Sequence, residues 1–243
     1  MNTSYKNLMG GLMAMVGLLI FSSCEDEISP SSTVTTEEFT VGDFHAVEVS
    51  NDFDVEIFYS DEEYVLIESN ENLHDFITAV QEDGKLRISL DGVNVSGNTI
   101  LKARVYTNNP LDFISVNNAS RLTATEAIFS DQVELHVNGA SFLRTQLDVE
   151  RLDVEVSNAS NLEIQGSSNH IGMVVKAGGM VQDDRLVVNF ANMDLSGASS
   201  AELVINQEIR LTASGSSVLR YAGDAVIKAI DLSTGATIEK IDA

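Results

Sequence analysis

Carboxylate side chains are the groups in this sequence that could carry out catalysis. Two carboxylates that converge on one groove can act as acid and base in the cleavage of a polysaccharide. The best local candidate is the run Asp183, Asp184 and Arg185. Because neighbouring residues of a strand point to opposite faces, we interpret this run as a loop between strands and predict no catalytic residue. A polysaccharide-active enzyme stays an alternative that would depend on these carboxylates.

Other acidic residues could hold a calcium ion, which prefers oxygen ligands. They are Asp52 with Asp54, and the run Asp61, Glu62 and Glu63. Neither group has the spaced Asp, Asn and Gly residues of a calcium-binding loop. We therefore interpret both as solvent-exposed acidic surface and predict no metal site there.

Histidines and aromatic residues are the remaining candidates. The four histidines are too far apart in sequence to form a zinc-ligand pair, so we expect no zinc and no other cofactor. They are His45, His74, His136 and His170. The aromatic residues of the N-terminal half could stack on sugars, but we favour a role in the hydrophobic core of a capping segment. They are Phe39, Phe44, Phe53, Phe58, Tyr59, Tyr64 and Phe76.

A single cysteine, Cys24, follows an apolar run from residue 8 to residue 21. The run is too short for a membrane span and has the layout of an export signal. Small residues directly before a cysteine resemble the signal of bacterial lipoproteins, in which the cysteine is acylated after cleavage. The resemblance implies a signal peptide over 1–23 and a lipid anchor on Cys24 in the outer membrane. An ordinary secretory peptide with an incidental cysteine is the alternative.

Residues 24–38 are acidic and rich in Ser and Thr, and we predict that they form a flexible tether. The run Glu25, Asp26 and Glu27 resembles the surface-export signal of lipoproteins from the Bacteroidetes group. The resemblance implies exposure on the cell surface. The alternative is a solvated linker on a protein that faces the periplasm.

The chain is strongly acidic, with 37 Asp and Glu against 14 Lys and Arg and a formal net charge of −23. A field of that sign opposes phosphate backbones and anionic headgroups, so we expect no nucleic-acid partner. Hydrophobic residues still make up 44% of the chain, which is typical of a globular domain with a real core.

Short turn sequences of small residues repeat through the C-terminal half of the chain. Each contains a Gly or Asn, the residue types that most readily adopt left-handed backbone angles. These turn residues recur every 18 to 21 positions, which suits one β-coil per repeat. They are Asn118, Gly139, Asn158, Gly178, Gly197, Gly215 and Gly235.

Apolar residues alternate before each turn, as inward-facing files of stacked coils require. When positions are counted back from each turn, three inward positions hold a polar or charged residue instead of an apolar one. They are Lys176, Asp231 and Ser233. We therefore predict an all-β fold, a parallel β-helix or solenoid with coils of about 20 residues over 112–243. A less regular β segment over 39–111 is expected to cap it.

The recurring turns over 117–237, preceded by a β-rich segment, resemble the auto-transporter adhesin head "GIN" family. The resemblance implies a β-helical domain, often on an exported lipoprotein, with an adhesive role and no assigned site residues. We therefore expect a lipid-anchored, non-enzymatic module that binds extracellular glycan or protein. A structural lipoprotein that faces the periplasm is the alternative.

Overall fold

The structure, a computed structural model, describes residues 27–182 and 185–242. Strands make up 66% of the residues and helix 3%. The chain winds into a solenoid of about seven turns with about 19 residues each. The predicted all-β solenoid is thus confirmed, with coils close to the expected length.

The strands of the described residues are short in the first half of the chain and long in the second. A 3₁₀ helix, Glu71–Phe76, lies between the strands Tyr64–Asn70 and Ile77–Glu82. The bounds are β1 (Glu27–Ile28), β2 (Val34–Thr40), β3 (Ala46–Val49), β4 (Asp54–Tyr59), β5 (Tyr64–Asn70), β6 (Ile77–Glu82), β7 (Lys85–Leu90), β8 (Asn94–Val95), β9 (Leu101–Thr107), β10 (Phe113–Val116), β11 (Arg121–Val137), β12 (Phe142–Val156), β13 (Asn161–Val175), β14 (Met180–Gln182), β15 (Leu186–Leu195), β16 (Ser200–Ala213), β17 (Val218–Ala222), β18 (Val226–Leu232) and β19 (Thr237–Lys240).

Parallel pairing of strands from successive coils builds the solenoid and its core. Leu135 of β11 pairs with Val154 of β12, which pairs with Met173 of β13. Alternate side chains point inward, so each pairing register stacks one apolar residue on the next. Three such files are buried along the axis. They are Ile114, Leu135, Val154, Met173, Met193 and Leu211; Val116, Val137, Val156, Val175, Leu195 and Ala213; and Leu122, Leu143, Leu162, Val181, Ala201 and Leu219.

Each turn contains two successive residues with positive φ, and all seven turn residues named above belong to such a pair. Backbone hydrogen bonds link equivalent turns along the axis, for example from Ala119 N to Gly139 O at 2.7 Å and from Ala140 N to Asn158 O at 2.8 Å. The pairs are Asn118–Ala119, Gly139–Ala140, Asn158–Ala159, Ala177–Gly178, Gly197–Ala198, Gly215–Ser216 and Thr234–Gly235.

Two turns are in a different register from the one expected. Gly178 and Gly235 occupy the second positive-φ position of their pair, whereas the other five turn residues occupy the first. Gly is acceptable at either position, so the residue type alone could not fix the register. With the corrected register, Lys176, Asp231 and Ser233 leave the inward files. Met173 and Val175 fill the fourth coil, and Ile230 and Leu232 fill the last one.

The parallel stack begins earlier in the chain than residue 112. Strand β3 pairs in parallel with β10 and β7, and β4 pairs in parallel with β11 and β9. Asn51 and Asp52, both at φ +65°, form a further turn of the same geometry, and Asp52 N donates to Asn118 O at 3.0 Å. The segment that contains β5, the 3₁₀ helix and β6 lies in sequence between this coil and the coil of β10 and β11 on which it stacks. The spacing between these two coils therefore differs from the regular repeat of about 19 residues, and the sequence pattern does not show it.

Antiparallel strands cap the N-terminal end of the stack. Strand β5 pairs with β9 and β2, and β6 pairs with β7. The tether expected over 24–38 is wrong for its last residues, because β2 is hydrogen-bonded along its length to β5. Its side chains are mostly exposed, so backbone pairing rather than apolar burial orders this polar segment. Residues 24–26 lie outside the described residues.

Candidate functional site

One outward-facing sheet carries the candidate site. This front sheet consists of β3, β10, the C-terminal parts of β11, β12, β13, β15 and β16, and β18. Its outward residues form rows along the solenoid axis, because each pairs with its equivalent in the next coil. Two adjacent rows are Arg151, His170, Phe190 and Glu208, and Asp153, Gly172, Asn192 and Arg210.

Gly172 leaves a gap in the middle of these rows. Depressions of about 360 Å³ and about 470 Å³ lie on its two sides, and both are lined by Gly172 and Asn192. We call the two depressions together the Gly172 groove. A Cβ atom at position 172 would lie 2.6 Å from Asp153 Oδ1, so a larger residue would narrow the groove.

An aromatic pair forms one wall of the Gly172 groove. The rings of His170 and Phe190 stack with centroids 4.8 Å apart and an interplanar angle of 14°. Parallel pairing places the two residues side by side on β13 and β15. Flat stacked rings beside polar groups can hold the apolar face of a sugar ring.

Charged pairs stand at the rim of the groove. Arg151 Nε donates to Asp153 Oδ2 at 3.0 Å, and the hydrogen bond and charge of Asp153 raise the pKa of the Arg151 guanidinium. Arg210 Nη2 lies 2.7 Å from Glu208 Oε1. These pairs keep both guanidinium groups in place as donors and both carboxylates as acceptors, an arrangement suited to hydroxyl groups.

A third ion pair lies further across the same face of the solenoid. Lys176 Nζ lies 2.6 Å from Glu155 Oε1. This hydrogen bond lowers the pKa of Glu155, and partial desolvation opposes the shift. Glu155 lines the groove, so this net-neutral pair holds a carboxylate in place there.

The structure separates the carboxylates considered for calcium. Asp52 lies in a turn, and Asp54 lies between Arg121 and Lys102 on neighbouring strands. Glu63 accepts hydrogen bonds from Thr107 Oγ1 at 3.0 Å and Asn109 Nδ2 at 2.6 Å. Within 27–182 and 185–242, no three His, Cys, Asp or Glu residues are grouped to hold a metal.

The histidines occupy four separate places. His45 Nδ1 lies 2.9 Å from Asp112 Oδ1, and His136 Nε2 lies 2.7 Å from Glu134 Oε1. His74 is buried in the cap, 3.3 Å from Thr35 O. His170 and His136 both line the Gly172 groove, His170 on the smaller depression and His136 on the larger one.

The aromatic residues of the N-terminal half divide between core and surface. Phe44 and Phe53 are buried in the core, as expected. Tyr106 stacks against Tyr64 at 4.3 Å and against Phe58 at 5.4 Å, and this second aromatic stack is half-buried on the cap. The polar groups beside the His170–Phe190 pair favour the Gly172 groove over this stack as the sugar-binding surface.

Several sequence-predicted residues cannot be placed. Cys24, Glu25 and Asp26 lie outside the described residues, as do Asp183 and Asp184. Glu27 is exposed in β1. A search of the described residues for a helix long and apolar enough to cross a membrane finds none.

The sequence interpretation did not identify the Gly172 groove. Its residues are 18 to 20 positions apart and become neighbours only in the pairing register of the strands. The available signal was the glycine itself, since Gly172 interrupts a strand without any need for positive φ.

Known proteins similar to this chain share its solenoid. A family model described as "Putative auto-transporter adhesin, head GIN domain" matches residues 43–225. A structure described as a putative adhesin from Parabacteroides merdae ATCC 43184 has a TM-score of 0.74 at 18% identity, covering 89% of this chain and 99% of the other. One described likewise from Bacteroides fragilis NCTC 9343 has a TM-score of 0.79 at 18% identity, covering 88% and 100%.

A further structure carries a different description. A putative lipid binding protein from Parabacteroides distasonis ATCC 8503 matches with a TM-score of 0.70 at 14% identity, covering 89% of this chain and 100% of the other. No curated protein sequence matches the chain. At these identities the solved structures indicate a shared fold.

Proposed function

Because the chain belongs to the family described as putative auto-transporter adhesin, head GIN domain, we propose that it is a non-enzymatic, adhesin-like binding module on the cell surface. Its partner in this proposal is a glycan, bound in the Gly172 groove. The observation that carries the proposal is the stacked pair His170 and Phe190 beside fixed charged donors and acceptors.

The chemistry of the groove favours a neutral sugar over other ligands. Arg151 is paired with Asp153 and Arg210 with Glu208, so no net positive charge is available for an anion. The paired groups retain hydrogen-bonding positions for hydroxyls. The ring of Phe190 supplies the flat apolar surface on which the C–H face of a sugar can lie.

A lipid on Cys24 anchors the module in the outer membrane in this proposal, and the acidic run Glu25, Asp26 and Glu27 directs it to the cell exterior. The supporting observations are the short apolar segment that ends in small residues and the single cysteine. A protein that faces the periplasm is the competing location.

Protease treatment of intact cells tests the location. We expect a non-permeant protease to remove the protein from intact cells, and Cys24→Ala to release it from the membrane fraction. Lysed cells control for intrinsic resistance to the protease. Survival in intact cells with loss after lysis would contradict surface exposure and leave the periplasmic alternative.

Glycan binding tests the groove. The purified chain is screened against a panel of neutral and acidic glycans, and the best ligand is titrated against Phe190→Ala and Phe129→Ala. Phe129 is a matched control, because it is 66% exposed on another face of the solenoid. Loss of a stacked ring costs about 0.5–1.5 kcal/mol, or about 2- to 12-fold in affinity, for Phe190→Ala alone. Equal affinity of the two variants would exclude the groove as the glycan site, and binding of proteins but no glycan would contradict the ligand class.

A further inference from the structure

The aromatic stack on the cap has no part in the Gly172 groove. Tyr106 lies between Tyr64 and Phe58, with ring centroids 4.3 Å and 5.4 Å apart, and we call these residues the Tyr106 stack. They stand side by side on β5, β9 and β4. One face of the Tyr64 ring therefore packs on Tyr106, and its other face is turned towards β2, the strand on the far side of β5.

Carboxylates lie around the exposed face of Tyr64. Desolvation is the main cause that raises the pKa of Tyr64, and the charges of Tyr106, Glu38 and Glu62 raise it further. Glu38 lies on β2, and Asp61 and Glu62 lie in the loop that leads into β5. All three carboxylates are exposed. This side of the stack is therefore acidic.

The bases nearest to the stack already have carboxylates beside them. Lys102 Nζ lies 3.7 Å from Glu68 Oε1. Arg104 is the neighbour of Glu56 in the pairing register of β9 and β4. These two bases are thus balanced by Glu68 and Glu56, and the carboxylates around Tyr64 are left to attract a cation from outside the chain.

Strand β2 is an edge strand next to this acidic surface. Among the described strands it pairs with β5 alone. Outside that ladder, the backbone contact that the described residues give to β2 joins Thr35 O to His74 Nε2 at 3.3 Å. An open edge is a template for pairing with another strand. Glu37 and Glu38 on this edge repel an acidic strand, such as one from a second copy of this chain, and favour a basic one.

The protein itself shows how a lysine reaches a ring across one strand. Lys85, Ala46 and Phe113 are in register on β7, β3 and β10. Lys85 Nζ extends over the small side chain of Ala46 and lies 4.8 Å from the centroid of the Phe113 ring. Tyr64 pairs with Thr40 of β2, which is also small. A lysine on a strand added beyond β2, opposite Thr40, would reach the free face of Tyr64 in the same way.

We propose that β2 and the Tyr106 stack bind a basic, extended segment of a partner protein. The segment pairs with the open edge of β2. One of its Lys side chains crosses Thr40 and lies over the free face of Tyr64, where Glu38 and Glu62 surround the ammonium group with negative charge. This surface is separate from the Gly172 groove, so the inference does not depend on the glycan.

Peptide binding tests the proposal. The probe is a short fluorescent peptide of alternating Lys and Thr, titrated with the full chain in a mild detergent and followed by fluorescence anisotropy. We expect binding that weakens as salt is added, and none to a peptide with Glu in place of Lys. A peptide with Pro in place of Thr keeps the charge but cannot form a strand ladder, so it should not bind. Absence of binding of the Lys and Thr peptide at the highest soluble protein concentration, or equal binding of the Pro peptide, would overturn the proposal.

Two neighbouring residues of β2 separate a local site from overall charge. Glu38→Gln and Glu37→Gln make the same change in net charge, but Glu37 faces the other side of the strand, with Oε2 3.7 Å from His74 Nδ1. We expect Glu38→Gln to weaken binding of the Lys and Thr peptide by about 1.5- to 5-fold, and Glu37→Gln to leave it unchanged. Glu38 is exposed, so its replacement leaves the fold intact. Equal effects of the two variants would show that the peptide responds to net charge alone and would overturn the site.

The ring is tested in parallel. Tyr64→Leu keeps an apolar side chain but removes the aromatic face, and it should weaken peptide binding by about 2- to 5-fold. Phe129→Leu, at an exposed ring elsewhere on the solenoid, is the control and should have no effect. Unchanged affinity in Tyr64→Leu would contradict the cation contact, and binding of tetramethylammonium as tight as that of the peptide would overturn a protein segment as the ligand. Phe190→Ala should keep full peptide binding, so a failure of glycan binding in the Gly172 groove leaves this result separate.

Discussion

Two glycines of β13 provide a direct test of how closely the coils pack. Gly166 has φ +108°, and a Cβ atom built on it would lie 1.9 Å from the backbone oxygen of Leu147 in the preceding coil. Gly172 has no positive φ, and its Cβ would meet only the end of the Asp153 side chain. Gly166→Ala and Gly172→Ala therefore add the same methyl group to one strand. At Gly166 the methyl group meets rigid backbone, and at Gly172 it meets the end of a flexible side chain.

The expected destabilisation differs by several kilocalories per mole. A non-glycine residue at such a backbone angle costs about 1–3 kcal/mol, and relief of the contact with Leu147 requires the coils to separate locally. We expect Gly166→Ala to lower the free energy of unfolding by about 3 kcal/mol, or about 6–12 °C in Tm for a domain of this size. For Gly172→Ala, the smaller entropy of the unfolded chain contributes about 0.4–1 kcal/mol in favour of folding, which offsets the displacement of Asp153.

Thermal unfolding followed by circular dichroism measures both effects, with chemical denaturation as an independent readout. The expected order of Tm values is Gly172→Ala close to wild type and Gly166→Ala well below it. Equal Tm values for the two variants would refute the close approach of β13 to Leu147. Gly172→Ala should also weaken glycan binding without loss of stability, because its methyl group narrows the Gly172 groove.

Two further predictions concern a turn and an ion pair. Gly197→Val forces a β-branched residue to φ +66° with its Cβ 3.0 Å from Ala177 N, and we expect it to lower the free energy of unfolding by about 2 kcal/mol or more. The control is Ser200→Val, whose neighbours in the pairing register are Met180 and Val218. It should change the free energy of unfolding by less than about 0.5 kcal/mol in urea titrations. Lys176 lowers the pKa of Glu155 below its ordinary value of 4.5, so the pair stabilises the fold above that pH and its contribution is lost as pH falls through the folded pKa. Lys176→Gln should therefore reduce stability at pH 7, and its difference from wild type should shrink as the pH falls below 4.5. A difference that stays constant as the pH falls would show that the ion pair is not the cause.

The turns were predictable from sequence because their constraint is local. One of the two positive-φ positions of each turn is occupied by Gly or Asn, the residue types that adopt such angles most readily, so the repeat could be recognised without any tertiary contact. The local constraint does not fix the register of a turn. Gly178 satisfies either position of a turn, and only its pairing with the neighbouring coil decides between them. Ser199 also illustrates the limit, since it is buried and donates a hydrogen bond from Oγ to Val175 O at 2.8 Å, which its residue type did not indicate.

Paired strands with polar side chains were less predictable. Strand β2 has the composition of a linker, yet its backbone is ordered by β5, whose position depends on the rest of the cap. Strands β3 and β4 carry the right apolar alternation, but the excursion through β5 to β7 separates them in sequence from the coils on which they stack. In both cases the structure depends on pairing between strands that are not consecutive in the sequence.

The candidate site was hidden for a related reason. Inward positions and turns of a solenoid must satisfy packing or backbone geometry in every coil, so they repeat and are visible in one sequence. Outward positions such as His170, Gly172 and Phe190 have no such constraint, and each coil can carry a different residue there. A binding surface built from them has no period and is assembled only by the register of β13 and β15. In this fold, the repeated residues therefore identify the scaffold. The outward residues of the front sheet, which do not repeat, are the positions at which binding specificity can evolve.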